Sequence, residues 1–289
     1  MKEQILKTLG EKLSPLNFAK VKRIYLHLRH GKVPKGLNFK DPKTFNEKIN
    51  YLKLYDTKEI GSPLADKIDA KDYVKEIVGE KYLIPTIGRY NTVEEINWDE
   101  LPNSFVIKAS HSSGMNFICP DKNLVEKEKI FEMMNKWINN DYTNEGGEWQ
   151  YNLTPRLICE EYLENTKEKP LMDYKFYCFN GKAKYVQIDT DRFSKHSRNI
   201  YNMNWEIQPF EFLYPNSDYE ISKPKNFEKM IDIAEKLSKD RCFFRIDLYN
   251  HNGNIYFGEI TFHPDGGCGY IEPYEYDIQL GNYLKLENI

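Results

Sequence analysis

The chain has 289 residues, 40% hydrophobic and 14% aromatic, enough to bury a substantial core as one large domain or two closely packed lobes. Its 41 basic and 44 acidic residues leave a formal charge of -3, which argues against a nucleic-acid footprint or a polybasic membrane patch. No run of about 18 apolar residues occurs, and Met1-Lys2-Glu3-Gln4 leads into a mixed-charge helix rather than a leader, so the sequence predicts a cytoplasmic protein without a membrane span.

Residues 1–60 are Lys-rich with apolar positions at helical spacing and almost no strand signal. Asp41-Pro42-Lys43-Thr44 reads as a turn, with Thr44 as N-cap and Glu47 completing a capping box for a helix that turns Phe45, Ile49 and Leu52 inward. A helix over 64–79 ends at Gly79, followed by a short strand at Tyr82-Leu83-Ile84-Pro85 and a small acidic helix from Val93 to Trp98. Phe105–Lys108 and Asn116–Cys119 form a hairpin around the polar tip Ser110–Gly114. A helix near 125–139 precedes a strand at Arg156–Leu163 and an exposed loop at 164–170. Tyr174–Phe179 and Lys184–Ile188 pair around Asn180-Gly181, the clearest hairpin signature in the chain. After a helix at 225–239, strands Phe243–Tyr249 and Ile255–Ile260 flank Asn252-Gly253. The five cysteines, Cys119, Cys159, Cys178, Cys242 and Cys268, show no CxxC spacing and lie mostly in strand-like runs, so they read as buried thiols.

Within the last hairpin, Asp247 and Glu259 interrupt apolar core positions on facing strands. Like charges in a low-dielectric site resist ionisation unless a cation compensates, and hard carboxylate oxygens suit magnesium. Arg245 shares the face of Asp247, where a guanidinium can hold a phosphate or a developing negative charge. The same spacing also fits an outward polar strand face with one salt bridge. At the tip of the earlier hairpin, Lys108 and the small residues to Gly114 offer a point charge, hydroxyls and backbone N–H groups to phosphate, although the turn also fits an ordinary loop. Neither GxxxxGK[ST] nor GxGxxG occurs, so P-loop and Rossmann nucleotide sites are unsupported. His111, His196 and His263 are candidate acid or base groups, each equally readable as a plain hydrogen-bonding residue. Asp189, Asp191 and Arg192, with Lys195 and Arg198, form a polar strand end that could receive an anion or simply face solvent.

Taken in order, Ala65-Asp66-Lys67, Val106-Ile107-Lys108 with its loop, Glu160-Glu161-Tyr162-Leu163, Arg245-Ile246-Asp247 and Glu259-Ile260-Thr261 resemble the ATP-grasp superfamily. Asp41–Lys48, Leu64–Lys67, Asp173-Tyr174-Lys175-Phe176 and Gly258–Phe262 are similar to its teichuronopeptide-biosynthesis (TupA-like) branch, across nearly the whole chain. The resemblance implies an α+β fold in which two α+β subdomains with antiparallel sheets clamp ATP: a helical segment at 1–60, a small lobe with the phosphate loop at 61–160 and a large lobe with the metal site at 161–289. It implies that Lys67 and Lys108 contact ATP phosphates under the loop of Ser110, Ser112, Ser113 and Gly114. Backbone at Glu161, Tyr162 and Leu163 would receive adenine, and Asp173 the ribose. Asp247 and Glu259 would hold Mg2+, while Arg245 stabilises the transferring phosphoryl group beside Lys108 and His263 as further catalytic candidates.

The chain departs from the superfamily pattern twice. Thr261 stands where asparagine follows the second metal carboxylate, and the helical N-terminus replaces a strand-rich substrate domain. His263, Asp265 and the Gly266-Gly267 turn, with Asp189 and Arg192, are therefore the expected acceptor residues.

The implied reaction joins a carboxylate to an amine through an acylphosphate. The partners would be a saccharide or small-molecule carboxylate, such as a uronic acid of a cell-surface polysaccharide, and an amine co-substrate, with possible association with a polysaccharide-biosynthesis complex. Rival readings are a sugar kinase using the same site, a glycosyltransferase suggested by Asp189-Thr190-Asp191, and a non-catalytic carbohydrate-binding module suggested by the 21 tyrosines.

Overall fold

Capping chemistry places the first elements where the sequence predicts them. The computed structural model describes residues 12–31, 36–56, 63–139, 153–164, 171–191 and 194–286. Helix α1 (Pro15–His30) starts at the N-cap Ser14. Helix α2 (Phe45–Tyr55) starts at Thr44, whose hydroxyl accepts from Glu47 N at 3.2 Å while a Glu47 carboxylate oxygen accepts from Thr44 N at 3.1 Å. Helix α3 (Lys67–Ile77) is capped by Asp66, which accepts from Ile68 N and Asp69 N.

Two antiparallel sheets follow. The first is four-stranded in the order β1-β4-β2-β3, from β1 (Thr86–Tyr90), β2 (Phe105–Ala109), β3 (Asn116–Cys119) and β4 (Leu157–Glu161), with helix α4 (Lys127–Ile138) against it. The second is five-stranded in the order β10-β9-β5-β6-β7, from β5 (Met172–Phe179), β6 (Lys182–Thr190), β7 (Ser197–Asn202), β9 (Phe243–His251) and β10 (Asn254–Thr261). Helix α5 (Phe227–Leu237) precedes β9. A short β8–β11 pair (Glu211–Phe212 and Ile271–Glu272) and helix α6 (Glu275–Tyr283) complete the described chain.

Two local expectations need correction. The strand expected at Tyr82–Pro85 is a 3-10 turn over Glu80–Tyr82, and β1 begins only after Pro85. Proline lacks the N–H a ladder needs, and Thr-Ile-Gly-Arg-Tyr hides its strand character because β1 is an edge strand that pairs β4 alone. The acidic helix expected at Val93–Trp98 is instead two 3-10 turns, Val93–Glu95 and Trp98–Glu100. So short a segment gains too few i→i−4 bonds to nucleate an α-helix, and burial of Val93, Ile96, Trp98 and Leu101 decides its path.

Alternation divides the five-stranded sheet into two unlike faces. One face is largely apolar: Phe176, Ile188, Phe244, Ile246 and Leu248 pack against Ala70 and Val74 of α3 and Phe227, Met230 and Ile233 of α5. On the other face, Tyr177, Phe179, Tyr185 and Phe243 pack under Phe45, Ile49 and Leu52 of α2 and Leu280 of α6. Further along the same strands this second face turns polar, carrying Asp173 and Lys175 on β5, Gln187 and Asp189 on β6, and Arg245 and Asp247 on β9. The N-terminal segment thus covers the apolar half of the face that carries the charged groups.

Helix α2 also grips the turn after β10. Asn46 Nδ2 donates to Gly269 O at 2.7 Å and Asn50 Nδ2 to Gly267 O at 2.6 Å, both side chains being buried. Gly267 has φ of 67°, and a Cβ there would lie 2.4 Å from Asn50 Nδ2, so this contact requires glycine.

Candidate active site

A bulge decides where the second carboxylate points. Along β10, Ile255 and Phe257 face the apolar core, yet so do Ile260 and Phe262, a change of parity. The register shifts between Phe257 and Glu259, leaving Glu259 opposite Asp247 and Thr261 opposite Arg245. Without the extra residue Gly258, Glu259 would share the parity of Phe257 and face the core. A Cβ on Gly258 would lie 3.1 Å from Asp247 O, so the bulge accepts little else.

Asp247 and Glu259 sit in a network of buried charge. Arg245 grips Asp247 with two bonds of 2.8 Å and reaches Glu259 Oε1 at 3.2 Å. Lys175 Nζ lies 2.8 Å from Asp247 Oδ2 and 2.5 Å from Asp173 Oδ2. Burial pushes the Asp247 carboxyl up to about 6 against the pull of Arg245 and Lys175. Burial acts the same way on Glu259, but Lys67, Arg245 and Lys175 outweigh it and hold the group down at about 2. Of the two, Glu259 therefore carries the firmer negative charge.

The other wall belongs to the four-stranded sheet and α3. Phe105, Ile107 and Ala109 point into its core, so alternation turns Lys108 to the opposite face with Glu160. Lys108 Nζ lies 2.7 Å from Glu160 Oε2; Lys71 bonds Glu160 Oε1 and also donates to Ile84 O at 2.6 Å. Burial raises the Glu160 pKa, but Lys108 and Lys71 overcome it and hold the group below its ordinary 4.5. A carboxyl depressed on folding contributes stability that is present above pH 4.5 and lost as pH falls through its folded value. Glu160→Gln is accordingly expected to cost about 3 kcal/mol near neutrality, because two buried ammonium groups lose their counter-charge, and to shrink the acid-side loss of stability. Urea titrations of both proteins at pH 7 and pH 4 test this; equal stabilities at pH 7 would remove Glu160 as the anchor.

Between the walls lies a cavity of about 360 Å³, lined by Lys67, His111, Ser112 and Ser113 on one side and by Arg245, Glu259, Thr261, His263, Asp265 and Gly266 on the other. Lys67 donates to Ser112 O, and burial lowers its ammonium pKa although Glu259 opposes that. The loop is held from behind: Ser110 Oγ donates to Asp66 Oδ2 at 2.6 Å, and Arg156 bridges Asp66 and Asp69 at 2.9 and 2.8 Å. The buried Ser112 hydroxyl finds no hydrogen-bond partner among the described residues. An unpaired hydroxyl beside a buried ammonium fits a phosphate oxygen.

Fit to magnesium differs between the two carboxylates. Glu259 lines the cavity and the donors Arg245 and Thr261 both reach the same oxygen, Oε1, so its carboxylate suits the ion. Asp247 lies outside the cavity wall, with both oxygens engaged by Arg245 or Lys175. It fits the ion only when one of these cations moves aside. Among the described residues no group of three or more His, Cys, Asp or Glu side chains converges as a metal cluster.

The remaining sequence-predicted residues are spread around this centre. Gly114 sits at the exposed loop tip with φ of 75°. Glu161 ends β4 and its N–H donates to Pro85 O at 3.0 Å, and Tyr162 and Leu163 follow the strand without regular structure. Asp189 is paired with Arg198 at 2.6 Å and His196 at 3.3 Å and does not line the cavity. Arg192 lies outside the described residues. His263 is buried, and burial with the nearby Lys53 charge holds its imidazole well below 6.5, so it is neutral near pH 7. Sequence reasoning passed over Lys175, although it lies two residues after Asp173 on the same strand face, and it missed Lys22 of α1, which lines the cavity.

The cleft thus sets Lys67 and the Ser112-Ser113 loop on one side against Arg245 and Glu259 on the other. The family model described as TupA-like ATPgrasp matches residues 47–285, and the chain belongs to that family. Solved structures with similar folds include the D-alanine–D-alanine ligase of Bacillus anthracis (16% identity, TM-score 0.43, 70% of this chain and 58% of that one). Others are the ATP-grasp ligase PsnB, complexed with a phosphomimetic variant of its minimal precursor, Mg and ADP (11%, 0.43, 82% and 67%), and phosphoribosylamine–glycine ligase of Thermotoga maritima (16%, 0.44, 71% and 49%). The chain thus spans little more than half the length of the D-alanine–D-alanine ligase. No match is found among curated proteins. Among the described residues no helix is long and apolar enough to cross a membrane.

Proposed function

We propose that the cleft binds ATP with magnesium and couples its hydrolysis to joining a carboxylate and an amine. The observation that carries this reading is the cavity in which Lys67 and the loop residues Ser112 and Ser113 stand opposite Arg245 and Glu259. In this reading residues 61–160 and 161–289 are the two lobes of the clamp and residues 1–60 a helical segment that completes the acceptor side. Lys67 and Ser112, with Lys108, Ser110, Ser113 and Gly114 of the loop, hold the phosphates. The chain at Glu161, Tyr162 and Leu163 receives adenine, and Asp173 the ribose. Glu259, with Asp247 once a cation yields, would hold magnesium, which would supply charge neutralisation to the phosphates.

The acceptor carboxylate oxygen attacks the γ-phosphorus and the bond to ADP breaks, giving an acylphosphate; the amine nitrogen then forms the amide and phosphate leaves with the bonding pair. Arg245 stabilises the transferring group, and protein groups act chiefly by position and charge. His263 and Asp265 meet the acceptor, His263 as a neutral hydrogen-bonding group because its basicity is low. The TupA-like family supports a uronic acid or similar saccharide carboxylate in cell-surface polysaccharide synthesis as acceptor and an amino acid as amine, in the cytoplasm.

The test is ADP release from ATP and Mg2+ with glucuronate and amino acids, followed by mass spectrometry of the product. An amide is the expected product. A phosphoester formed without amine would make the protein a kinase, and absence of ATP binding by calorimetry would remove the proposal altogether.

A further inference from the structure

Lys175 is a buried cation that none of the roles above uses. It lies on β5 directly opposite Asp247 of β9 and is 5% exposed. Its ammonium group donates to two carboxylates, Asp247 Oδ2 at 2.8 Å and Asp173 Oδ2 at 2.5 Å. In the proposed function the first of these belongs to magnesium and the second to ribose, so one side chain ties the two subsites together. Arg245 holds Asp247 differently: its Nε and Nη2 take one oxygen each at 2.8 Å, and Nη2 also reaches Glu259 at 3.2 Å. Asp247 Oδ2 therefore accepts from Arg245 and Lys175 at once, which occupies both of its lone pairs.

The two cations differ in how easily they release Asp247. Withdrawing Arg245 breaks a planar two-bond grip together with its contact to Glu259. Withdrawing Lys175 breaks one bond and leaves its ammonium, on a flexible stem, still held by Asp173. Charge decides when that happens. Asp173, Asp247 and Glu259 interact with Lys175, Arg245 and Lys67, three negative groups against three positive ones, so a bare divalent cation gains little here. A polyphosphate adds negative charge and offers the Lys175 ammonium a new partner. Resting on the ATP-dependent reading, we propose that Lys175 is the internal counter-ion that keeps Asp247 closed to magnesium until a nucleotide is bound. With nucleotide present Lys175 turns to a phosphate oxygen, and the freed Asp247 oxygen joins Glu259 as a metal ligand. Nucleotide and metal then strengthen each other's binding by the same factor.

Mn2+ as a paramagnetic substitute for Mg2+ tests this, with free ion measured by electron paramagnetic resonance on the full chain, with and without ADP and against an ADP-only control. The wild type alone is expected to bind Mn2+ at least ten-fold more weakly than the wild type with ADP. Lys175→Met keeps the stem and removes the charge; without ADP it should bind Mn2+ about ten-fold more tightly than the wild type does. Lys175→Arg keeps the charge and should stay close to the wild type. Urea midpoints establish that each variant is folded, and Lys175→Gln takes the place of Lys175→Met if that variant is not. Equally tight Mn2+ binding by the wild type with and without ADP overturns the proposal, as does a neutral Lys175 variant that gains no affinity for Mn2+ in the absence of nucleotide. Failure of ADP to bind the wild type in calorimetry counts against the ATP site instead, and the nucleotide-free comparison is read independently of it.

Discussion

Glu259→Gln is expected to lower kcat by about 10²- to 10³-fold and to lose the stability that its depressed pKa contributes above pH 4.5, a loss kept modest because the side chain is one-third exposed. Its carboxylate lines the cavity and is held on Oε1 by Arg245 at 3.2 Å and by Thr261 at 3.4 Å. Asp247→Asn is expected to behave differently. It removes the negative charge that Arg245 and Lys175 both hold at 2.8 Å inside the protein, and breaking a buried ion pair from one side costs about 3–5 kcal/mol. Loss of activity in this variant should therefore come with a lower unfolding midpoint in urea. Parallel measurement of steady-state rate and urea midpoint separates the two carboxylates. If Asp247→Asn proves as stable as Glu259→Gln, the Arg245–Asp247–Lys175 network is not holding the strands together.

Phe45→Ala is expected to cost about 3–5 kcal/mol in the unfolding of the five-stranded sheet. The ring is fully buried at 0% exposure, with Phe243, Phe179, Tyr177 and Phe212 ring centroids 5.3, 5.9, 6.1 and 6.4 Å away. No small neighbour can collapse into the space it would leave. The effect should extend to chemistry: α2 also carries Asn46, Asn50 and Lys53, so loosening it should raise the acceptor KM more than the ATP KM. Tryptophan fluorescence during urea unfolding and the two KM values check both parts. An unchanged main transition with loss of a separate early one would show that the N-terminal helices fold as an appendage.

Much of this architecture is legible along the chain. The capping box at Thr44 and Glu47, the Asn180-Gly181 and Asn252-Gly253 hairpins and the alternation in β2 and β9 are local features, set by backbone conformation and side-chain parity within a few residues. The bulge at Gly258 was also written there, in the three-residue step from Phe257 to Ile260 where strand alternation requires two. The edge strand β1 was not, because a strand paired on one side and partly exposed needs no apolar run. Lys175 was hidden for another reason: a lysine inside an apolar strand is explained only when its partners Asp173 and Asp247 are known.

The sequence by itself determined the element order, the family, and the hairpin that carries Asp247 and Glu259 on facing strands; the turn register alone would set Gly258 opposite Asp247, and the bulge sets Glu259 there instead. Tertiary structure decided how charge is distributed among those residues. Contacts separated by 72 residues in Lys175–Asp247 and by 89 in Lys71–Glu160 determine which carboxylate is engaged and which is open. It also decided that α1 and α2 meet the turn after β10 and that α1 brings Lys22 to the cavity, a juxtaposition that depends on packing between distant parts of the chain and leaves no periodic mark in it.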